Sequence, residues 1–118
     1  MENRAISDAQ ITASSQANFN SAPQEGRLNN KQRYRYFGGY KLGVWTAAKN
    51  DPNQWLQVDL GGYSTITAVA TQGRRSVSAW GRPQWVRKFK IKYSVDGFSF
   101  QTYKELGKSS AKVKFEYR

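Results

Sequence analysis

A chain of 118 residues without an internal repeat is long enough for one small domain with a single modest hydrophobic core. It contains no cysteine, which excludes disulfides and thiolate sites, and no histidine, the commonest general base and metal ligand near neutral pH. Nineteen Lys and Arg against eight Asp and Glu give a net charge of +11, which favours acidic partners such as anionic lipid, sulfated or sialylated glycan, or nucleic acid. These counts weigh against an enzyme.

The N-terminal part of the chain combines a polar start with a first predicted strand. No apolar core of a signal peptide is present, and no stretch is apolar enough to predict a transmembrane segment. A strand is predicted within residues 6–15, where Ile11 and Ala13 share one face. Residues 16–41 are repeatedly broken by Asn, Pro and Gly, which predicts a long loop with at most a short turn near Arg27 and Leu28.

The most regular stretch is the strand predicted over residues 55–60, between turn residues and the Gly61-Gly62 pair. Its side chains alternate, so the aliphatic residues share one face, which we expect to pack into the core. Asp59, on the other face, is expected to accept hydrogen bonds or to pair with a cationic side chain. The predicted structural core from this strand comprises Trp55, Leu56, Val58, Asp59 and Leu60.

The second half of the chain predicts further strands. Residues 64–72 are rich in β-branched side chains, and residues 85–94 alternate between an apolar face and a lysine face. Asp96-Gly97 is typical of a hairpin turn, followed by a return strand toward Tyr103 and a last strand over residues 112–117. No amphipathic helix is predicted. Five or six short strands joined by loops indicate an all-β sandwich or barrel.

Candidate binding residues lie in two basic, aromatic-containing stretches, between Glu25 and Asp51 and between Arg74 and Lys92, neither of which contains an acid in its interior. Their Arg side chains offer planar sets of donors to carboxylate, sulfate or phosphate, and a loop Trp offers an aromatic plane. The alternatives are a solvated charged surface and a Trp that folds back over the domain. The predicted ligand-binding residues are Arg33, Tyr34, Arg35, Arg74, Arg75, Trp80 and Arg82.

Metal binding and catalysis receive little support from the sequence. Calcium, which needs six to eight oxygen ligands, is a minor alternative, since the oxygens of four loop residues follow no compact motif. These residues are Asn29, Asn30, Asp51 and Asn53. There is no phosphate-binding glycine loop and no catalytic triad set, so no catalytic residue and no cofactor are predicted.

Five runs occur in order along the chain: SDAQITASSQ, RLNN, KNDPNQWLQVDLG, ITAVATQGR and QWVRKFKIKYSVDG. Together they resemble the discoidin domain, also called the coagulation factor V/VIII type C domain, over nearly the whole chain up to about Leu106. The resemblance implies a β-sandwich jelly roll without catalytic activity, found outside cells, that binds glycans such as galactose, anionic phospholipid, or proteins such as collagen. It also implies ligand-binding loops at one end of the barrel, here residues 16–35, 38–44 and 73–84.

Two departures from the family pattern stand out. The pair of terminal cysteines is absent, and residues 107–118 keep little of the family's closing strands. We therefore expect a single domain over residues 1–118 that is trimmed or divergent after about residue 106, with an open sheet edge through which it could oligomerise.

The leading hypothesis is an extracellular recognition module for a glycan or an anionic lipid surface, with a matrix or cell-surface protein as a further partner. A basic nucleic-acid-binding domain is less favoured, because no groove-reading or RNA-binding motif is present. A truncated fragment without independent function is the remaining alternative.

Overall fold

The structure is a computed structural model that describes residues 5–74 and 82–104 of the chain. The chain forms two compact units, residues 1–68 and 69–118. The described regular structure consists of short strands and single turns of 3-10 helix, as expected of an all-β chain, and no closed barrel is assigned among these residues.

The first unit is built around two short antiparallel strands, β1 (Ile11–Ala13) and β4 (Leu56–Val58). Ile11 lies opposite Val58, and hydrogen bonds continue the pairing at both ends, from Ser14 N to Trp55 O (3.0 Å) and from Asp59 N to Gln10 O (2.8 Å). Strand β1 follows the 3-10 turn Asp8–Gln10. The predictions of a first strand and of a central strand are both confirmed, although each regular strand is only three residues long.

Burial within the first unit differs from the prediction. The buried apolar residues of the described part of the chain are Ile11 and Ala22, whereas Leu56 and Leu60 are 37% and 41% exposed. Trp55 is 48% exposed, Val58 is half-buried and Asp59 is exposed. The prediction of a buried aliphatic face is therefore wrong for Leu56 and Leu60, because a three-residue strand paired with one short partner has little covering surface. Leu56 does lie against Gly26 beside the Trp45 side chain.

The stretch predicted as a long loop, residues 16–41, contains regular structure. Two 3-10 turns, Phe19–Ser21 and Pro23–Gly26, are followed by an antiparallel hairpin of β2 (Arg33–Arg35) and β3 (Gly39–Lys41). The loop prediction was wrong for this hairpin. A period-2 pattern of only three residues on each side of a glycine turn is too short to stand out from a loop.

In the second unit, an isolated bridge joins Arg74 to Gln84, and β5 (Lys92–Tyr93) pairs antiparallel with β6 (Gln101–Thr102). The hairpin predicted at Asp96-Gly97 is confirmed, with Gly97 at φ +78°. The strand predicted over residues 85–94 is reduced to β5. The final predicted strand, residues 112–117, lies outside the described residues.

Residues 64–72, predicted as a strand, form none. Ile66 is 58% exposed and Val69 41% exposed. Since β-branched residues favour strands chiefly by packing on a half-buried pleated surface, this exposure removes the reason for the strand.

Candidate functional site

The most exposed aromatic pair of the first unit sits at the tip of the β2–β3 hairpin. Tyr36 and Phe37 are 89% and 86% exposed, and their rings meet edge to face with centroids 5.0 Å apart. The turn is closed by Gly38 and Gly39, at φ +105° and +66°, a region that side chains larger than hydrogen disfavour. The hairpin therefore presents two rings to solvent on a turn that only glycine forms without strain.

The strands of the hairpin carry more aromatic and basic residues. Tyr34 lies opposite Tyr40 in the register, and Arg33 lies opposite Lys41. Tyr34 is 76% exposed, while Tyr40 is 37% exposed. Arg35 lies opposite Gly39. Aromatic rings and cationic residues thus occupy one continuous element of nine residues, from Arg33 to Lys41.

A buried carboxylate anchors the first strand of the hairpin. Glu25 is 4% exposed, and its two oxygens accept from the two terminal nitrogens of Arg33 at 2.8 and 2.9 Å. Asn30 completes the network: its Nδ2 donates to the Glu25 carboxylate (3.2 Å) and its Oδ1 accepts from Arg33 (3.1 Å). The Arg33 charge is therefore neutralised by Glu25, and the pair ties β2 to the 3-10 turn Pro23–Gly26.

The second strand of the hairpin is anchored to the other 3-10 turn. Lys41 Nζ donates to Phe19 O at 3.0 Å and lies 5.0 Å from the centre of the Phe19 ring, a cation–π distance. One residue further on, Leu42 N donates to Asn20 O at 3.0 Å. Both strands are thus fixed at their bases, and the tip extends beyond them.

Two further contacts stabilise the surroundings of the hairpin. The Arg27 side chain is only 2% exposed and donates from Nη2 to Asp8 Oδ1 and Ile6 O, both at 2.7 Å. Gly43, at φ +70°, runs so close to Lys31 that an added Cβ would lie 2.5 Å from the Lys31 carbonyl carbon. The chain that leaves β3 is therefore packed directly against the chain that enters β2.

The predicted binding residues fall into two groups. Arg33, Tyr34 and Arg35 come together on β2, in the first unit. Arg74 and Arg82 belong to the second unit, where Arg74 bridges Gln84 and Arg82 is exposed. Arg75 and Trp80 lie outside the described residues. Whether any of these seven residues contacts a ligand stays a prediction.

Sequence reasoning missed the two tip aromatics and the residues that hold the hairpin, Glu25 and Lys41. The signal for the tip was present as alternating Arg and Tyr followed by an aromatic and two glycines. No sequence signal connects Glu25 with Arg33, because their pairing depends on how the intervening turn folds.

Two of the candidate calcium ligands, Asp51 and Asn30, already form hydrogen bonds within the protein. Asp51 Oδ1 accepts from Asn53 N (2.9 Å) and from Gln54 Nε2 (3.0 Å), and Asn30 belongs to the Glu25 network. The Gln54 hydrogen bond, followed by that of Asn53, lowers the pKa of Asp51 below its usual value. Within the described ranges, no group of three acidic residues is placed to hold a metal ion.

Comparison with known proteins identifies the family. The family model described as the F5/8 type C domain matches residues 10–117. The chain belongs to the F5/8 type C, or discoidin, family. The resemblance found in the sequence is therefore confirmed. The β2–β3 hairpin and its two anchoring turns lie within the matched part of this F5/8 type C domain.

Several known proteins are similar to this F5/8 type C domain. Lactadherin of Rattus norvegicus is 37% identical over 115 residues, which cover 92% of this chain and 24% of that protein. EGF-like repeat and discoidin I-like domain-containing protein 3 of Homo sapiens is 37% identical over 112 residues, covering 91% and 21%. Coagulation factor V of Sus scrofa is 36% identical over 112 residues, covering 89% and 4%. The chain thus spans a quarter or less of the length of these three relatives.

The part of the chain that the structure describes contains no helix with the length and hydropathy of a membrane span.

Proposed function

We propose that this F5/8 type C domain is a non-enzymatic extracellular module that docks on anionic phospholipid surfaces through the tip of the β2–β3 hairpin. The observation that carries the proposal is the exposure of Tyr36 and Phe37, 89% and 86%, on an element whose base is anchored at both strands. Contiguous exposed aromatics on an ordered element are typical of interaction sites.

The aromatic tip supplies the apolar part of the binding free energy. Full burial of a Phe-sized side chain is worth about 1.5–3 kcal/mol, and Tyr adds a hydroxyl that stays in contact with water and headgroups. The gain does not depend on salt. The tip therefore supports lipid binding at ionic strengths that weaken purely electrostatic contacts.

The basic residues of the hairpin supply the electrostatic part. Arg35 is the position of β2 next to the turn, and Lys41 lies at the base of the hairpin opposite Arg33. Each cation near an anionic surface contributes about 1 kcal/mol that salt screens. Arg33 contributes less net charge, because Glu25 neutralises it. We therefore expect the domain to bind vesicles of anionic lipid more tightly than vesicles of zwitterionic lipid.

The backbone of the tip limits how deeply it enters a bilayer. Residues 36–38 form a turn, so their N–H and C=O groups need water or headgroups as partners. We therefore propose that the tip enters only the headgroup and upper acyl region of the bilayer, the interfacial zone in which Tyr is enriched.

Membership of the family supports two further parts of the proposal. The first is that the strands form one jelly-roll domain. The second is that four of the predicted binding residues in the second half of the chain also contribute to ligand binding: Arg74, Arg75, Trp80 and Arg82. A glycan ligand of the galactose or acidic type is the second candidate, since Tyr34 presents a largely exposed ring next to cations, a combination that suits a sugar face.

Vesicle sedimentation tests the proposal, with phosphatidylserine-containing vesicles compared with vesicles of phosphatidylcholine alone. The double variant Y36S/F37S should lose at least tenfold in affinity, since most of the apolar gain disappears. The matched control Y63S/F98S also removes one Tyr and one Phe, which are 91% and 90% exposed elsewhere. It should change affinity less than threefold.

Equal losses in both double variants would contradict the role of the hairpin. Competition by free galactose, with binding that persists at high salt and in the absence of lipid, would favour the glycan candidate. Retention on single-stranded DNA that weakens when Arg33 and Arg35 are neutralised would favour a nucleic-acid-binding domain.

A further inference from the structure

A row of lysines in the second unit forms a surface that the proposed lipid contact does not use. Lys88, Lys90 and Lys92 are exposed, while the residues between them, Phe89 and Ile91, are half-buried. This alternation places the three lysines on one side of the chain, with spacings of roughly 7 Å between successive ones where the chain is extended.

The facing strand β6 borders this row. Lys92 lies opposite Thr102, and Tyr103 N donates to Ile91 O at 2.8 Å, so hydrogen bonding continues beyond β5 and β6. We name Lys88, Lys90 and Lys92 the lysine face.

The lysine face lies in a strongly basic part of the chain. No Asp or Glu occurs between Asp59 and Asp96, whereas seven Lys and Arg do. The carboxylate of Asp96 is directed into its own turn, where it accepts from Phe98 N and Ser99 N, both at 2.8 Å. Three lysines on one side of the chain repel one another, and a bound polyanion would relieve that repulsion.

We propose that the lysine face binds a sulfated glycosaminoglycan. A linear chain of sulfates matches a row of flexible ammonium groups, which act as point charges without a fixed fork of donors. Single-stranded nucleic acid would need aromatic rings for its bases, and the strand positions of this face carry only Lys and Thr. Phe100, which is 43% exposed and lies two residues before Thr102, places a single ring beside this face, whereas successive stacked bases need several rings. A lipid surface would likewise need a larger apolar anchor beside the lysines.

Isothermal titration with a heparin octasaccharide tests the proposal on the whole chain, at about 0.15 M salt and at several higher concentrations. The variant K90Q/K92Q should bind at least fivefold more weakly, and the slope of log affinity against log salt should fall by about one to two. The control K31Q/K49Q removes the same charge from two exposed lysines of the first unit and should lose less than twofold.

Three results would overturn the inference: no measurable heparin binding by the unmodified protein, equal losses in the two double variants, or tighter lysine-dependent binding of a single-stranded oligonucleotide than of heparin. Both variants should keep the thermal melt, because surface substitutions change stability little. If K90Q/K92Q does not fold, K92Q alone takes its place, with an expected loss of about twofold. Y36S/F37S should leave heparin binding unchanged, which separates this face from the proposed lipid contact.

Discussion

Glu25 and Arg33 are joined by two parallel hydrogen bonds, 2.8 and 2.9 Å long, across eight residues of chain. The carboxylate side chain is 5% exposed and the guanidinium 26% exposed, so the pair lies at the edge of the interior. Water screens such a pair only partly, and its planar, bidentate geometry fixes direction as well as distance. The pair therefore sets the angle at which β2 leaves the 3-10 turn Pro23–Gly26.

Replacing Glu25 with Gln should destabilise the first unit by about 1–3 kcal/mol, because the Arg33 charge would be left partly buried without its partner. Chemical denaturation followed by tryptophan fluorescence measures this loss. R33Q should cost a similar amount. The double variant E25Q/R33Q should cost less than the two single losses combined, as a coupled pair requires. Additive losses would show that the two side chains act independently.

Gly43→Ala should be strongly destabilising, by about 2 kcal/mol or more. The added methyl group would overlap the backbone of Lys31 and Gln32, at 2.5 and 2.7 Å, and φ +70° disfavours any side chain. Gly62→Ala is the control, because an added Cβ there meets nothing within 4 Å. A thermal melt compares the two variants. Equal melting temperatures would argue against the close approach of the two chain segments.

Phe19→Leu should weaken the anchor of β3 by about 0.5–1 kcal/mol, the value of a cation–π contact near the surface. The Lys41 ammonium lies 5.0 Å from the ring centre, and a leucine keeps the apolar contact without the ring. The hydrogen bond from Lys41 to the Phe19 carbonyl should persist. Denaturant midpoints measure the change, with Phe98→Leu, 90% exposed in the second unit, as the control. An equal shift in both variants would exclude a specific contact.

The turn at Asp96 should lose stability in acid at an unusually low pH. Hydrogen bonds from Ser99 N, then Phe98 N, then the Ser94 hydroxyl lower the pKa of Asp96 from 3.8 to about 2. Because the folded-state pKa is depressed, the carboxylate stabilises the turn fully above about pH 4, and this contribution is lost as pH falls through about 2. A proton NMR titration of the Phe98 and Ser99 amides should show the transition near pH 2. D96N should abolish it, whereas a midpoint near 3.8 would contradict the hydrogen-bonded turn.

The sequence predicted the parts of the fold that depend on local pattern. Alternation located the strand pair around Ile11 and Val58, and Asp96-Gly97 located a hairpin, because turn residues act through their own dihedral preferences. The same reasoning failed for residues 64–72. A run of β-branched residues forms a strand only where neighbouring strands cover it, and that depends on distant parts of the chain.

The sequence by itself determined the family, the all-β class and the basic, aromatic character of the surface, since these follow from residue identity, order and charge. Only the tertiary structure decided that Arg33 is held by Glu25 while Tyr36 and Phe37 extend into solvent. The physical reason is that the residue type determines which interactions a side chain can make, whereas the folded backbone determines which groups lie within contact distance. Arg33 lies beside a buried carboxylate, while the two tip aromatics of the described hairpin face solvent.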